Sequence, residues 1–79
     1  MTMTRGARIL VVDDNPDSRM LVSELLTFKG HRVAAMASGK DAIAALESID
    51  PDLAILDLQM PEMDGFETLR GLREHRPSL

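Results

Sequence analysis

The chain of 79 residues contains no cysteine, tryptophan or tyrosine, and its aromatic residues are two phenylalanines. The absence of cysteine excludes disulfide bonds, a thiol nucleophile and cysteine-based metal sites. Because small secreted proteins commonly depend on disulfides for stability, we expect the reducing cytoplasm as the location of this chain. The scarcity of aromatic residues argues against nucleic-acid-binding modules that stack bases on rings.

Excess positive charge and long apolar runs are also missing. Nine Lys and Arg residues stand against thirteen Asp and Glu residues, which gives a net charge of −4. This balance opposes direct binding to nucleic acids or to anionic membrane surfaces. The longest strongly apolar run, Ile9 to Val12, has four residues, whereas a membrane span needs about 20. We therefore expect no partnership with nucleic acid or membrane.

Apolar runs and amphipathic segments alternate along the chain. Short apolar runs predict strands, and 3.6-residue periodicity with capping residues predicts helices. The predicted strands are 8–12, 31–35 and 52–57. The first predicted helix begins at Pro16 and ends before Gly30, the second begins after its cap Ser38 and ends before Asp50, and the third extends from Phe66 to Arg76. This β-α-β-α-β-α order predicts an α/β fold, with a doubly wound parallel sheet between helices.

Acidic residues follow the first and third predicted strands: Asp13 and Asp14 after the first, and Asp57 after the third. A strand order of 2-1-3 makes these strands neighbours, about 5 Å apart, at the edge where α/β sheets bind ligands. Three like charges at that distance repel, so either one of them is protonated or a cation joins them. An all-oxygen ligand set favours Mg²⁺. The pattern therefore predicts a site for phosphoryl chemistry.

Three segments, Val11–Pro16, Ala37–Ala42 and above all Leu53–Gly65, resemble the receiver domain of bacterial two-component response regulators. The resemblance extends from about Arg8 to Arg76. It implies a flavodoxin-like, doubly wound fold in which residues 1–79 form a single partial receiver domain and residues 1–7 form an N-terminal tail. It also implies a signalling domain and not an enzyme in the ordinary sense.

By this resemblance, Asp57 is the phosphoacceptor, which receives a phosphoryl group from a sensor histidine kinase or a phosphotransfer protein. Asp14 and Asp57 would bind Mg²⁺ directly, the backbone carbonyl of Gln59 would be a third ligand, and Asp13 would act mostly through water. The bound ion would offset the repulsion between the phosphoryl group and the attacking carboxylate. Pro61 and Gly65 would shape the loop behind Asp57.

Members of this family also carry a Ser or Thr after a fourth strand and a Lys after a fifth, which have no counterpart among these 79 residues. Since the loss of one preorganised donor typically costs about 10²–10³ in rate, we expect impaired phosphorylation of this chain. In addition, the apolar third strand would lie at a sheet edge, which invites pairing with another chain. We therefore expect self-association into a two-fold homodimer, in which antiparallel third strands join two sheets into one of six strands.

Other interpretations of the same residues remain open. A receiver-like module could dimerise or occupy a kinase without turnover, and Asp13-Asp14-Asn15 is also compatible with a phosphatase that uses an aspartyl nucleophile. Ser38-Gly39-Lys40 matches only the end of a phosphate-binding P-loop. Residues for which we favour ordinary structural roles are Arg70, Arg73 and Arg76 (a solvated helix face), Met60 and Met63 (loop packing), and the isolated His31 and His75.

Overall fold

The computed structural model describes residues 6–57 and 64–77. The elements are β1 (Arg8–Val12), α1 (Pro16–Phe28), β2 (Arg32–Met36), α2 (Gly39–Ile49), β3 (Leu53–Leu56) and α3 (Gly65–His75). The predicted alternation of strands and helices is confirmed, with β2 shifted by one residue and β3 shorter than predicted. None of the described helices combines the length and the hydropathy that crossing a membrane requires.

The three strands form one parallel sheet in the order β2-β1-β3, as predicted. In the register, Val12 lies between Met36 of β2 and Leu56 of β3. The chain moves from β1 to β2 on one side and then crosses back over β1 to β3 on the other side. Because both crossovers are right-handed, α1 lies on one face of the sheet and α2 on the other. The carboxyl ends of β1 and β3 therefore lie side by side at one edge.

One face of the sheet is fully covered and contains the hydrophobic core. We call it the α2–α3 face, because α2 packs on β1 and β2 while α3 packs on β3 and α2. Burial of apolar surface here supplies the main favourable free energy of folding. The fully buried side chains of this core are those of Leu10, Val12, Ala42, Leu46 and Leu72.

The opposite face, which we call the α1 face, is only partly covered. Helix α1 packs on β1 and β2, and it has no buried residue of its own. On β3, the side chains of Leu53 and Ile55 are 49% and 37% exposed. The two faces therefore differ in how many strands their helices cover.

Side-chain caps begin all three helices. Asn15 accepts from the backbone N–H groups of Asp17 and Ser18 at the start of α1, and Ser38 accepts from Asp41 at the start of α2. Asp64 and Glu67 form a reciprocal capping box, so α3 begins at Gly65, one residue earlier than predicted. Such caps satisfy N–H groups that lack a partner within the helix.

The apolar side of α3 was predicted incorrectly in one respect. Phe66, expected beside Leu69 and Leu72, is 65% exposed, whereas Thr68 is fully buried. The Thr68 hydroxyl donates to the carbonyl oxygen of Asp64 at 2.9 Å. This bond satisfies the hydroxyl within the helix, so the small side chain of Thr68 can occupy the buried position.

Candidate functional site

Three carboxylates meet at the carboxyl edge of the sheet. Asp13 and Asp14 follow β1, and Asp57 follows β3. One carboxylate oxygen from each residue lies within 4.8 Å of the others. The backbone N–H of Asp57 donates to the carbonyl oxygen of Val12 at 2.9 Å, which extends the β1–β3 pairing to the base of the site. The predicted meeting of these side chains is confirmed, and we call them the acidic cluster.

Within the acidic cluster, Asp13 is held by several hydrogen bonds. Its backbone N–H donates to the carbonyl oxygen of Met36 at 3.1 Å. Its side-chain Oδ1 accepts from the N–H of Asn15 at 3.0 Å, and its carbonyl oxygen accepts from Nη1 of Arg19 at 2.9 Å. A residue tied at its backbone and its side chain has a defined position before any ligand binds.

The acidic cluster lines a cleft of about 410 Å³ between α1 and β3. Apolar side chains, among them those of Val11, Val22 and Ile55, line the same cleft. Asp14 is exposed, whereas Asp13 and Asp57 are half-buried. The site is thus accessible to a solute at Asp14, and its lining is both acidic and apolar.

The donor set of the acidic cluster fits a hard divalent cation. It consists of carboxylate oxygens alone, which Mg²⁺ prefers over nitrogen or sulfur ligands. Two ligands on opposite sides of Mg²⁺ are about 4.2 Å apart, twice the metal–oxygen distance of about 2.1 Å. The three carboxylate oxygens lie within 4.8 Å of one another, which is close to this value.

Several residues of the sequence-based site fall outside the described residues. Gln59, expected to give its backbone carbonyl to the metal, lies in segment 58–63, together with Pro61 and with Met60 and Met63. Gly65, expected to shape the loop, is instead the buried first residue of α3.

The described residues that were assigned ordinary structural roles contact other parts of the protein, and none of these contacts reaches the acidic cluster. Ser38 caps α2. His31 Nδ1 accepts from the N–H of Ala7 at 3.0 Å, and His75 Nδ1 lies 3.2 Å from the carbonyl oxygen of Gly71. Arg76 was expected on a solvated helix face together with Arg70 and Arg73. Its guanidinium instead forms an ion pair with Asp50 at the end of α2.

Arg19 is the residue that sequence reasoning missed. Its side chain reaches back from the end of the first turn of α1 to the carbonyl oxygen of Asp13. The sequence gives no signal that distinguishes it from other arginines, because a helical arginine usually extends into solvent. Only the path of the chain between β1 and α1 brings its guanidinium to that carbonyl.

Comparison with known proteins finds one matching family and individual relatives of the chain. The family described as "Response regulator receiver domain" matches residues 9–79. The transcriptional regulatory protein TcrA of Mycobacterium tuberculosis is 44% identical over 71 residues, which cover 90% of this chain and 28% of TcrA.

Two solved structures are similar throughout the fold. The chemotaxis protein CheY4 of Vibrio cholerae matches with a TM-score of 0.88 and 34% identity over 92% of this chain and 61% of that one. The response regulator TrrA of Thermotoga maritima, in complex with Mg²⁺ and BeF, matches with a TM-score of 0.83 and 37% identity over 90% and 62%. The chain spans less than two thirds of the length of each of these three proteins.

Proposed function

Because the chain belongs to the family of response regulator receiver domains, we propose that it accepts a phosphoryl group on Asp57 in two-component signalling. The proposed donor is the phosphohistidine of a sensor histidine kinase or of a phosphotransfer protein. The observation that carries this proposal is the acidic cluster, with an oxygen of Asp57 within 4.8 Å of oxygens of Asp13 and Asp14. We further propose that residues 1–79 are one partial receiver domain of a cytoplasmic protein.

In the proposed reaction, a carboxylate oxygen of Asp57 attacks the phosphorus of the donor. The bond between phosphorus and the histidine nitrogen breaks, its electron pair stays on that nitrogen, and an aspartyl phosphate forms. Backbone pairing of Asp57 with Val12 fixes the base of the nucleophile at the end of β3. Proximity of the held nucleophile to the bound donor lowers the entropic part of the barrier.

Asp14 and Asp57 are the proposed direct ligands of Mg²⁺, together with the backbone carbonyl of Gln59, and Asp13 is proposed to act through water. When bound, the ion would offset the repulsion between the anionic phosphoryl group and the attacking carboxylate. The half-burial of Asp57 beside the apolar wall of the cleft favours strong electrostatic interactions, since nearby low-polarity groups lower the effective dielectric constant.

Phosphorylation of the 79-residue chain by itself is proposed to be slow. The hydroxyl and lysine side chains that the family places around the phosphoryl group have no counterpart in this sequence. Each missing donor is expected to lower the rate by about 10²–10³. The reaction therefore needs long incubation with a concentrated donor.

Mass spectrometry after incubation with a small acyl phosphate and Mg²⁺ tests the proposed reaction. We expect a slow gain of one phosphoryl group, which requires Mg²⁺ and is abolished by Asp57→Asn. The matched control is Asp41→Asn, which makes the same chemical change at an exposed carboxyl outside the acidic cluster. A folded chain that binds Mg²⁺ but never gains mass would instead support a binding module without turnover. Steady release of phosphate that depends on Asp13 would support a phosphatase.

A second copy of this chain is the further partner that we propose, with β3 as the contact. Among the described strands, β3 pairs with β1 alone and forms one edge of the sheet. The exposed Leu53 and Ile55 extend this edge as an apolar surface. An apolar edge strand favours pairing with another strand, and a two-fold axis would place two β3 strands antiparallel in a sheet of six.

Sedimentation equilibrium tests this association. We expect a dimer that Leu53→Lys converts to a monomer, because a charge on an edge strand opposes strand pairing. Phe28→Lys is the control, since it changes an exposed apolar residue at the far end of α1. A folded wild-type chain that sediments as a monomer up to high concentration would refute the proposed dimer.

The absence of direct contact with nucleic acid stays a prediction from net charge and from the scarcity of aromatic residues.

A further inference from the structure

The peptide group between Asp13 and Asp14 links two members of the acidic cluster. Because a peptide group is planar, its carbonyl oxygen, its N–H and both flanking Cα atoms move together. A hydrogen bond to the carbonyl oxygen of Asp13 therefore also restrains the N–H and Cα of Asp14. The donor of that bond is Nη1 of Arg19, at 2.9 Å.

Arg19 is itself well anchored. It lies half-buried in α1, and its backbone N–H donates to the carbonyl oxygen of Asn15 at 2.9 Å. The side chain of Asn15 caps the same helix, and the hydroxyl of Ser23 donates to the carbonyl oxygen of Arg19 at 2.7 Å. The guanidinium therefore extends from a capped, ordered turn, and it connects that turn to the end of β1.

We propose that Arg19 is a positioning residue for the acidic cluster: its bond to the carbonyl oxygen of Asp13 holds the Asp13–Asp14 peptide in the orientation that binds a divalent cation. This inference rests on the metal site in the proposed function. Arg19 acts through the backbone and contacts neither the metal nor the phosphoryl group. Outer-sphere groups of this kind commonly change metal affinity by about 10–100-fold when they are removed.

Arg19 could influence Mg²⁺ affinity through its charge or through its hydrogen bond, and the two predict opposite changes when the residue is replaced. A guanidinium near a divalent cation repels it, so the loss of the charge alone would strengthen Mg²⁺ binding. The loss of the hydrogen bond frees the Asp13–Asp14 peptide and weakens binding, because the carboxylates must then be ordered by the metal. The direction of the change in affinity thus separates the two roles.

The experiment measures Mg²⁺ affinity by isothermal titration calorimetry for the wild type, Arg19→Gln and Arg19→Lys. We expect Arg19→Gln to weaken binding about tenfold and Arg19→Lys, which keeps the charge and one donor group, to recover part of that loss. Arg32→Gln is the matched control. It removes the same charge from an exposed residue at the start of β2, the opposite end of the sheet, and should leave affinity unchanged.

Amide hydrogen exchange without metal gives an independent result. The N–H of Asn15 donates to Oδ1 of Asp13, so we expect it to exchange several-fold faster in Arg19→Gln and at the wild-type rate in Arg32→Gln.

Unchanged exchange, or Mg²⁺ binding in Arg19→Gln that equals or exceeds the wild type, would overturn the role of Arg19. If the wild type binds no Mg²⁺, the proposed metal site is wrong, and the exchange rates still decide whether Arg19 holds the peptide. If Arg19→Gln does not fold, Arg19→Lys decides alone: weaker Mg²⁺ binding and faster exchange of the Asn15 N–H than in the wild type support the positioning role, and wild-type values of both overturn it.

Discussion

The two faces of the sheet present the same kind of side chain to very different surroundings. On the α2–α3 face, Leu46 and Leu72 of the helices are fully buried. On the α1 face, the helix buries no residue completely, and Leu25 is 55% exposed. Two helices cover all three strands on the first face, whereas one helix covers two strands on the second. Beneath α1, Ile9 and Val11 of the central strand are still buried, so the difference between the faces lies in their helices and in β3. How fully a helical leucine is buried follows how much of its face other elements cover, and not its own hydrophobicity.

The largest expected effect comes from truncating a leucine on the covered face. Leu72→Ala should lower the free energy of unfolding by about 2–5 kcal/mol, because it removes buried methyl groups and leaves a cavity. Urea denaturation followed by circular dichroism measures this change. A cost below about 1 kcal/mol would show that the α2–α3 face is loosely packed and would remove the contrast between the faces.

A substitution at the cap of α3 tests how much the stability of the α2–α3 face depends on that cap. Asp64→Ala removes the acceptor for the N–H of Glu67, and it should lower the free energy of unfolding by about 1 kcal/mol. The control is Glu67→Gln, since glutamine can also complete a capping box and should be nearly neutral. Equal effects of the two substitutions, measured by urea denaturation, would argue against the capping box.

Removal of the buried Thr68 hydroxyl tests what a single hydrogen bond contributes to the stability of the α2–α3 face. Thr68→Val keeps the shape and removes the hydrogen bond to Asp64, so the expected loss is about 0.5–1.5 kcal/mol. Thr27→Val, at an exposed position of α1, should change stability less. Thermal unfolding of the two variants makes the comparison, and a larger loss at Thr27 would contradict the difference in burial.

The smallest effect is expected on the α1 face. Leu25→Ala makes the same truncation as Leu72→Ala, also within a helix, yet it should change the free energy of unfolding by no more than about 0.5 kcal/mol. Denaturation at several protein concentrations sharpens this prediction. A loss above about 2 kcal/mol that grows with concentration would mean that a second copy covers this face in solution.

The sequence by itself determined the alternation of elements, the strand order and the meeting of Asp13, Asp14 and Asp57. The alternation follows from local periodicity. The handedness of β-α-β units alone allows the strand order 1-2-3 as well as 2-1-3, and the resemblance to receiver domains selected 2-1-3 and, with it, the meeting of the three carboxylates. Helix starts were also encoded locally, as the Asn15 and Ser38 caps show. The Asp64–Glu67 cap was present in the sequence as well, although the glycine that follows Asp64 made it resemble a loop.

Only the tertiary structure decided which apolar residues are buried and which polar groups support the site. The exposure of Phe66 and the burial of Thr68 depend on how α3 is rotated against β3 and α2. The bond from Arg19 to Asp13 depends on the path of the chain between β1 and α1. Local sequence sets the conformation of each element, but contacts between elements depend on their relative placement in three dimensions, which no local pattern specifies.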